Sequence, residues 1–169
     1  RVRTFRLPNQ LTNHVEVALN YPNTFPRFAG QGFAERADHE LGLACLQIYN
    51  DWMIDEWCGG SGGRLIPLTL VPLWDAQLAA AEVRRTAARG SRAITWTEMP
   101  SYLGLPSIHD PDRYWDPLFE ACNETSTVLG LLPLLWEAGP GADVSARIAA
   151  PVVGTVRFPR QGSSRYELR

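Results

Sequence analysis

RLIPLTLVPLWDAQLAAAEVRRTAARGSRAITWT, residues 64–97, reads as strand, helix, strand. RLIPLTLVP (64–72) is a continuous apolar run of strand length, the pattern of a parallel strand covered on both faces. Pro67 lacks an N–H, so ladder pairing is expected to be secure only on its C-terminal side. Asp75 is an N-cap for the helix that follows. Ala79, Val83 and Ala87 lie on its inner face, Arg85 and Arg89 lie outside, and Gly90 stands where a left-handed cap residue is needed. RAITWT (92–97) is then a second strand. A strand, a crossover helix and another strand make one right-handed βα unit.

Working outward, the same unit repeats. HVEVAL (14–19) has strand alternation, and NYPNTFPRFAGQGF (20–33) reads as a long loop suited to a pocket wall. From the Asp38 cap, Leu41, Cys45, Ile48 and Trp52 fall at helical spacing and predict a helix that Gly59–Gly60 stops. After residue 97, EMPSYLGLPSIHDPDR (98–113) is a long loop. A short helix opens near Asp116–Pro117, and TVLGLLPLLW (127–136) is apolar again. Strand starts near 14, 65, 92 and 127 predict an α/β fold with a parallel sheet. No G-x-G-x-x-G follows the first strand, so a dinucleotide fold has no support. Long loops leaving the C-terminal strand ends fit a partial (β/α)8 TIM barrel with outer helices, since a complete barrel takes about 250 residues and the chain has 169.

Composition narrows the chemistry. The 45% of apolar residues can build a core, and a net charge of −2 without a basic, aromatic-studded run argues against nucleic acid as a partner. No run approaches membrane-spanning length, and residues 1–13 lack a signal-peptide centre, so no membrane partner and a cytoplasmic location are expected. Cys45, Cys58 and Cys122 are too widely spaced for a metal knuckle and read as reduced packing residues. Every one of the 16 basic residues is arginine, which points to GC-rich coding DNA. Neither a nucleophile elbow nor a phosphate loop is present.

The segments NYPNTFPRFAGQGF, LACLQIYNDWMIDEWCGGSGGRLIPLTLVPLWD and AAAEVRRTAARGSRAITWTEMPSYLGLPSIHDPDRYWDPLFEACNET together resemble the amidohydrolase-related family that includes aminocarboxymuconate-semialdehyde decarboxylase and γ-resorcylate decarboxylase. YNDW, GRLIPL and LGLPSIH…YWDPLF, in that order, are its most specific parts, and the resemblance covers residues 14–127. It implies a (β/α)8 barrel in which a divalent metal, zinc or manganese, supports hydrolysis or non-oxidative decarboxylation of small organic acids. The family's metal ligands are an H-x-H pair, two further histidines and an aspartate. None maps onto this sequence, and no histidine follows His109. The expectation is therefore no metal bound by this chain, no catalytic residue and no activity. From about Leu129 no family motif is legible, as a shifted reading frame would produce, so residues 1–128 are read as an incomplete barrel segment and 129–169 as a divergent one.

Substrate-facing candidates follow from strand ends. His109 belongs to the loop after the third strand, and its bland reading is a solvated loop histidine. Glu98 ends that strand, and a loop-to-backbone hydrogen bond is its alternative. Asn20, Tyr21 and Asn23 follow the first strand and serve equally well as turn formers. His14 and His39 read as structural, His39 being solvated. Trp52, Trp57, Trp74 and Trp115 read as packing residues. Asp51, Asp55 and Glu56 read as a solvated face. The competing reading is a non-catalytic α/β protein that forms homo-oligomers through exposed sheet edges.

Overall fold

The computed structural model describes residues 12, 14–22, 26, 28–97, 100–132, 156–157 and 167–168. Strand β1 spans Ala18–Asn20, β2 Leu65–Pro67, β3 Ala93–Thr97 and β4 Val128–Leu132. Helix α1 (Gln31–Ala34) lies in the loop after β1, and α2 (His39–Trp52) follows it. Helix α3 (Ala76–Ala88) connects β2 to β3, and α4 (Asp116–Thr125) connects β3 to β4. β1 pairs with β2 and β3 with β4, both parallel, and a parallel bridge at Thr69–Ile94 joins the two pairs. The order is therefore 1-2-3-4, all parallel, with no reversal of direction along the sheet. Val156–Arg157 and Glu167–Leu168 form a separate antiparallel pair.

The caps are where the sequence puts them. Asp38 accepts from Leu41 N–H at 2.9 Å, and Asp75 accepts from the N–H groups of Gln77 at 2.8 Å and Leu78 at 2.9 Å. Gly90, at φ 96°, closes α3 in the left-handed region.

Pro67 acts opposite to expectation. Ala18 N–H donates to Arg64 O, while Thr69 N–H donates to Ala93 O and Thr95 N–H returns to Thr69 O. Even-numbered residues of this segment thus face β1 and odd-numbered ones face β3. Pro67 is odd, so its missing N–H falls on the β3 side. The ladder to β1 survives on the N-terminal side, and contact with β3 shrinks to the Thr69 bridge. The first strand also starts later than the alternation from residue 14 suggests: His14 turns at φ 58°, and residues 14–17 are exposed.

One face of the sheet carries the main core. Ile94, Trp96 and Leu129 pack with Ala79, Val83, Leu118 and Phe119 of α3 and α4, and Trp115 meets Trp96 edge-on at 5.0 Å. On α2 the buried residues are Gly42, Leu46 and Asn50, while Leu41 (60% exposed), Ile48 (69%) and Trp52 (43%) face outward. Of the helically spaced apolar residues only Cys45 packs inward, against Phe33, Leu46 and Leu70. The cause is Asn50, whose Nδ2 donates to Leu70 O at 2.9 Å while its Oδ1 accepts from Leu70 N–H at 2.8 Å. An asparagine thereby continues the strand ladder past Pro67. Beyond Trp52 the helix widens into a π turn, Met53–Trp57, with Cys58 N–H donating to Met53 O. Gly59 permits this, because a Cβ there would lie 1.8 Å from Asp55 O.

Asp51 and Asp55 are not a free solvated face. Asp51 pairs with Arg85 at 2.7 Å and Asp55 with Arg89 at 2.5 Å, tying α2 to α3. Beneath them Glu82, 2% exposed, accepts from Arg85 Nε and from Asn50 Nδ2 at 2.8 and 2.7 Å.

Candidate functional site

The face of the sheet away from α3 and α4 is concave. Along β3, Ile94 and Trp96 enter the helix-side core, so alternation turns Thr95 to the other face. Its register partner there is Gly130. A Cβ on Gly130 would lie 3.3 Å from the Tyr21 hydroxyl and 3.7 Å from Leu68 Cδ1. Tyr21 directly follows β1, and Gly130 sits on β4. A flat sheet would hold those outer strands about 14 Å apart, beyond a tyrosine's reach. The sheet must curl for the phenol to arrive. Burial raises the Tyr21 phenol above its ordinary pKa.

Thr95 is fully buried and its Oγ1 has no partner among the described residues. Burying a hydroxyl or amide without a hydrogen bond costs roughly 1–3 kcal/mol, which makes such groups rare. A second case is Gln31, 0% exposed, with neither Oε1 nor Nε2 paired. It opens α1 after two left-handed residues, Ala29 at φ 48° and Gly30 at φ 84°. Three residues on, Ala34 lines a cleft of about 300 Å³ with Glu35, Trp74, Leu103 and Leu105. Those residues come from the loops after β1, β2 and β3, which all leave the same edge of a parallel sheet.

The sequence-based candidates separate. Tyr21 reaches the concave face. His109 lies exposed in a turn where its own N–H donates to Ser107 Oγ at 3.3 Å, and it does not line the cleft. Asn20 closes β1 and is described in its backbone alone. Glu98 and Asn23 lie outside the described residues. His39 is exposed but not simply solvated, since its ring stacks on Trp74 at 4.8 Å. Gln31 and Thr95 escape a sequence reading because burial without a partner depends on tertiary packing; the only signal is that Gln31 lies in the long loop after β1.

Among the described residues no three His, Cys, Asp or Glu side chains come together. The cysteines pack: burial pushes the Cys122 thiol up to about 12, and Cys58 Sγ lies 3.8 Å from Met53 Sδ. None of the described helices is long and apolar enough to cross a membrane.

Comparison with known proteins places this geometry. Two solved structures of 5-carboxyvanillate decarboxylase from Novosphingobium aromaticivorans are similar, each with a TM-score of 0.58 over 73% of this chain, at 22% and 20% identity. Both hold manganese with a hydroxy-methoxy-nitrobenzoic acid, and one is a point mutant. This chain spans 32% of their length. No curated protein gives a significant match. The amidohydrolase family model matches residues 24–159, continuing past Leu129 into the stretch without legible motifs. The chain belongs to the amidohydrolase family.

Proposed function

We propose that the four parallel strands are successive strands of a (β/α)8 barrel, and that this chain supplies part of the wall around a small carboxylated aromatic or cyclic substrate. The family chemistry is metal-dependent hydrolysis or non-oxidative decarboxylation. The observation that supports this reading is the approach of Tyr21, after β1, to Gly130 on β4, which fits two parallel strand pairs joined at the Thr69–Ile94 bridge and curled toward each other. Catalytic groups in such barrels gather at the C-terminal strand ends. The loops carrying Tyr21, Asn23, Glu98 and His109, with Asn20 at the end of β1, leave from there. These five are the proposed substrate-binding residues.

A divalent cation in this family would act as Lewis acid or water activator. A zinc site generally needs three protein ligands, and the described residues assemble no such set. The H-x-H pair and the later histidines of the family are missing from the sequence, and on that ground we propose for residues 1–169 a substrate-facing role without metal-dependent turnover of their own.

The test is to express the chain, add Mn²⁺ or Zn²⁺, and follow both binding of 4-hydroxy-3-methoxy-5-nitrobenzoic acid and decarboxylation of hydroxybenzoates. Binding without turnover is expected. Chelator-sensitive turnover above a heat-killed control overturns the inactivity, and no binding overturns the substrate reading. The second reading, a non-catalytic protein that self-associates, draws on β1, where Val17 (52% exposed) and Leu19 (43%) flank an edge paired only to β2 among the described strands. Concentration-dependent sedimentation with no ligand binding would favour it.

A further inference from the structure

We infer that the cleft lined by Ala34, Glu35, Trp74, Leu103 and Leu105 is a subsite for the hydroxyl end of a single phenolic ring, and that it turns a carboxylate away. The inference deepens the substrate reading above, on which it rests for the class of ring, by stating which end of a ring acid enters. The cavity, about 300 Å³, lies at the lower end of small-molecule sites, which run from roughly 300 to 1,000 Å³, so a one-ring molecule suits it. Its walls are preformed. Gly104, at φ 71°, bends the loop after β3 so that the leucines on either side of it both line the cleft and both pack on the helix-side core. Backbone bonds hold that bend: Gly104 N–H donates to Ser101 O at 3.1 Å and Leu105 N–H to Pro100 O at 3.2 Å. Just beyond it, Trp115 Nε1 donates to Pro106 O at 2.8 Å. Trp74, from the loop after β2, is stacked by His39 at 4.8 Å, and its carbonyl accepts from the Tyr114 hydroxyl at 3.4 Å. Walls fixed in this way lose little freedom when a ligand enters.

The lining decides the chemistry. Four of its five residues are apolar, which favours the faces of a ring. Glu35 brings the only charge among them. A carboxylate accepts hydrogen bonds and donates none, so it draws a hydroxyl and repels a second carboxylate. Of the two polar ends of a hydroxybenzoic acid, the hydroxyl therefore enters and donates to Glu35, while the acid stays outside.

Isothermal titration of the full chain with phenol, 4-hydroxybenzoate and benzoate tests this. Phenol and 4-hydroxybenzoate are expected to bind alike, and benzoate roughly tenfold more weakly for want of the hydroxyl. Leu105→Trp, which fills the cleft from a half-buried loop position, should weaken both hydroxylated ligands about tenfold. Glu35→Gln, at an exposed position that folding does not depend on, should weaken phenol about threefold and strengthen benzoate, and it decides the matter if the tryptophan variant does not fold. Benzoate as tight as 4-hydroxybenzoate, no binding of phenol beside bound 4-hydroxybenzoate, or affinities unchanged in the folded variants each overturn the inference and leave the substrate reading standing. Phenol bound without 4-hydroxybenzoate ends the reading of a carboxylated substrate and keeps the subsite. If none of the three binds, both fall.

Discussion

Two sets of buried polar side chains in this molecule are treated in opposite ways. Between α2 and α3, Asn50 and Glu82 are as deeply buried as any leucine, and each is paired: Asn50 to both backbone groups of Leu70, Glu82 to Asn50 and Arg85. At the concave face and the loop end, Thr95 and Gln31 are equally buried and unpaired. Pairing marks a group that holds the fold. Its absence, at comparable burial, is a cost to folding that Thr95 and Gln31 share with Trp96 Nε1 in the helix-side core. The distinction is physical, because an unpaired buried polar group is a net loss to folding whereas a fully satisfied one can bind two elements together.

The strongest way to break this comparison is at Glu82. Glu82→Ala leaves Asn50 Nδ2 without one acceptor and Arg85 without its bidentate partner, held at 2.8 Å on both oxygens. Arg85 is only partly exposed and its guanidinium pKa is raised, first by the hydrogen bond to Glu82. Breaking such a pair typically costs about 3–5 kcal/mol, read from denaturant midpoints at constant m. A loss under about 1 kcal/mol would mean that the network is incidental, and the contrast with Gln31 and Thr95 would lose its meaning.

The next test concerns α2. Leu46→Ala empties a fully buried site shared with Phe33 and Leu70 and is expected to cost about 3 kcal/mol, whereas Ile48→Ala, on the exposed stripe, should change stability by less than about 0.5 kcal/mol. Equal effects would show that the stripe of Leu41, Ile48 and Trp52 is covered after all.

That pair of residues also shows what the sequence could and could not reveal. The starts of β2, β3 and β4, both aspartate caps, the inner face of α3 and the βα order were legible, because each depends on neighbours in the chain. The orientation of α2 was not. Its buried face, Gly42, Leu46 and Asn50, contains a single large apolar residue, so hydrophobic periodicity favours the opposite stripe. Asn50 is drawn inward by the backbone of Leu70, and Pro67 loses its bond toward β3; both depend on which strand lies on which side, which no local pattern encodes. Asp51 and Asp55 read as solvated for the same reason, since Arg85 and Arg89 are 34 residues away in sequence. At the candidate site the residues flagged by loop position were partly reached: Tyr21 arrives at the concave face, and His109 stays in an exposed turn. Gln31 and Thr95 become visible only when hydrogen bonds are counted.

The smallest effect gives the finest discrimination. Thr69 and Thr95 lie on neighbouring strands, both fully buried, and differ in one respect. Thr69 Oγ1 donates to Ala93 O at 3.2 Å, while Thr95 Oγ1 has no partner among the described residues. Valine has nearly the shape of threonine without the hydroxyl, so each Thr→Val substitution isolates that one group. Thr69→Val removes a made bond and leaves the Ala93 carbonyl with the Thr69 N–H and the Ser91 hydroxyl, a loss expected near 1 kcal/mol. Thr95→Val removes only a desolvated hydroxyl and is expected to gain up to about 1 kcal/mol. Opposite signs in urea unfolding of the two variants would show that the concave face of β3 keeps a polar atom at the expense of stability, next to the glycine over which Tyr21 lies. The same sign in both would show that Thr95 is bonded in solution, and that its hydroxyl belongs with Asn50 and Glu82 among the groups that hold the fold.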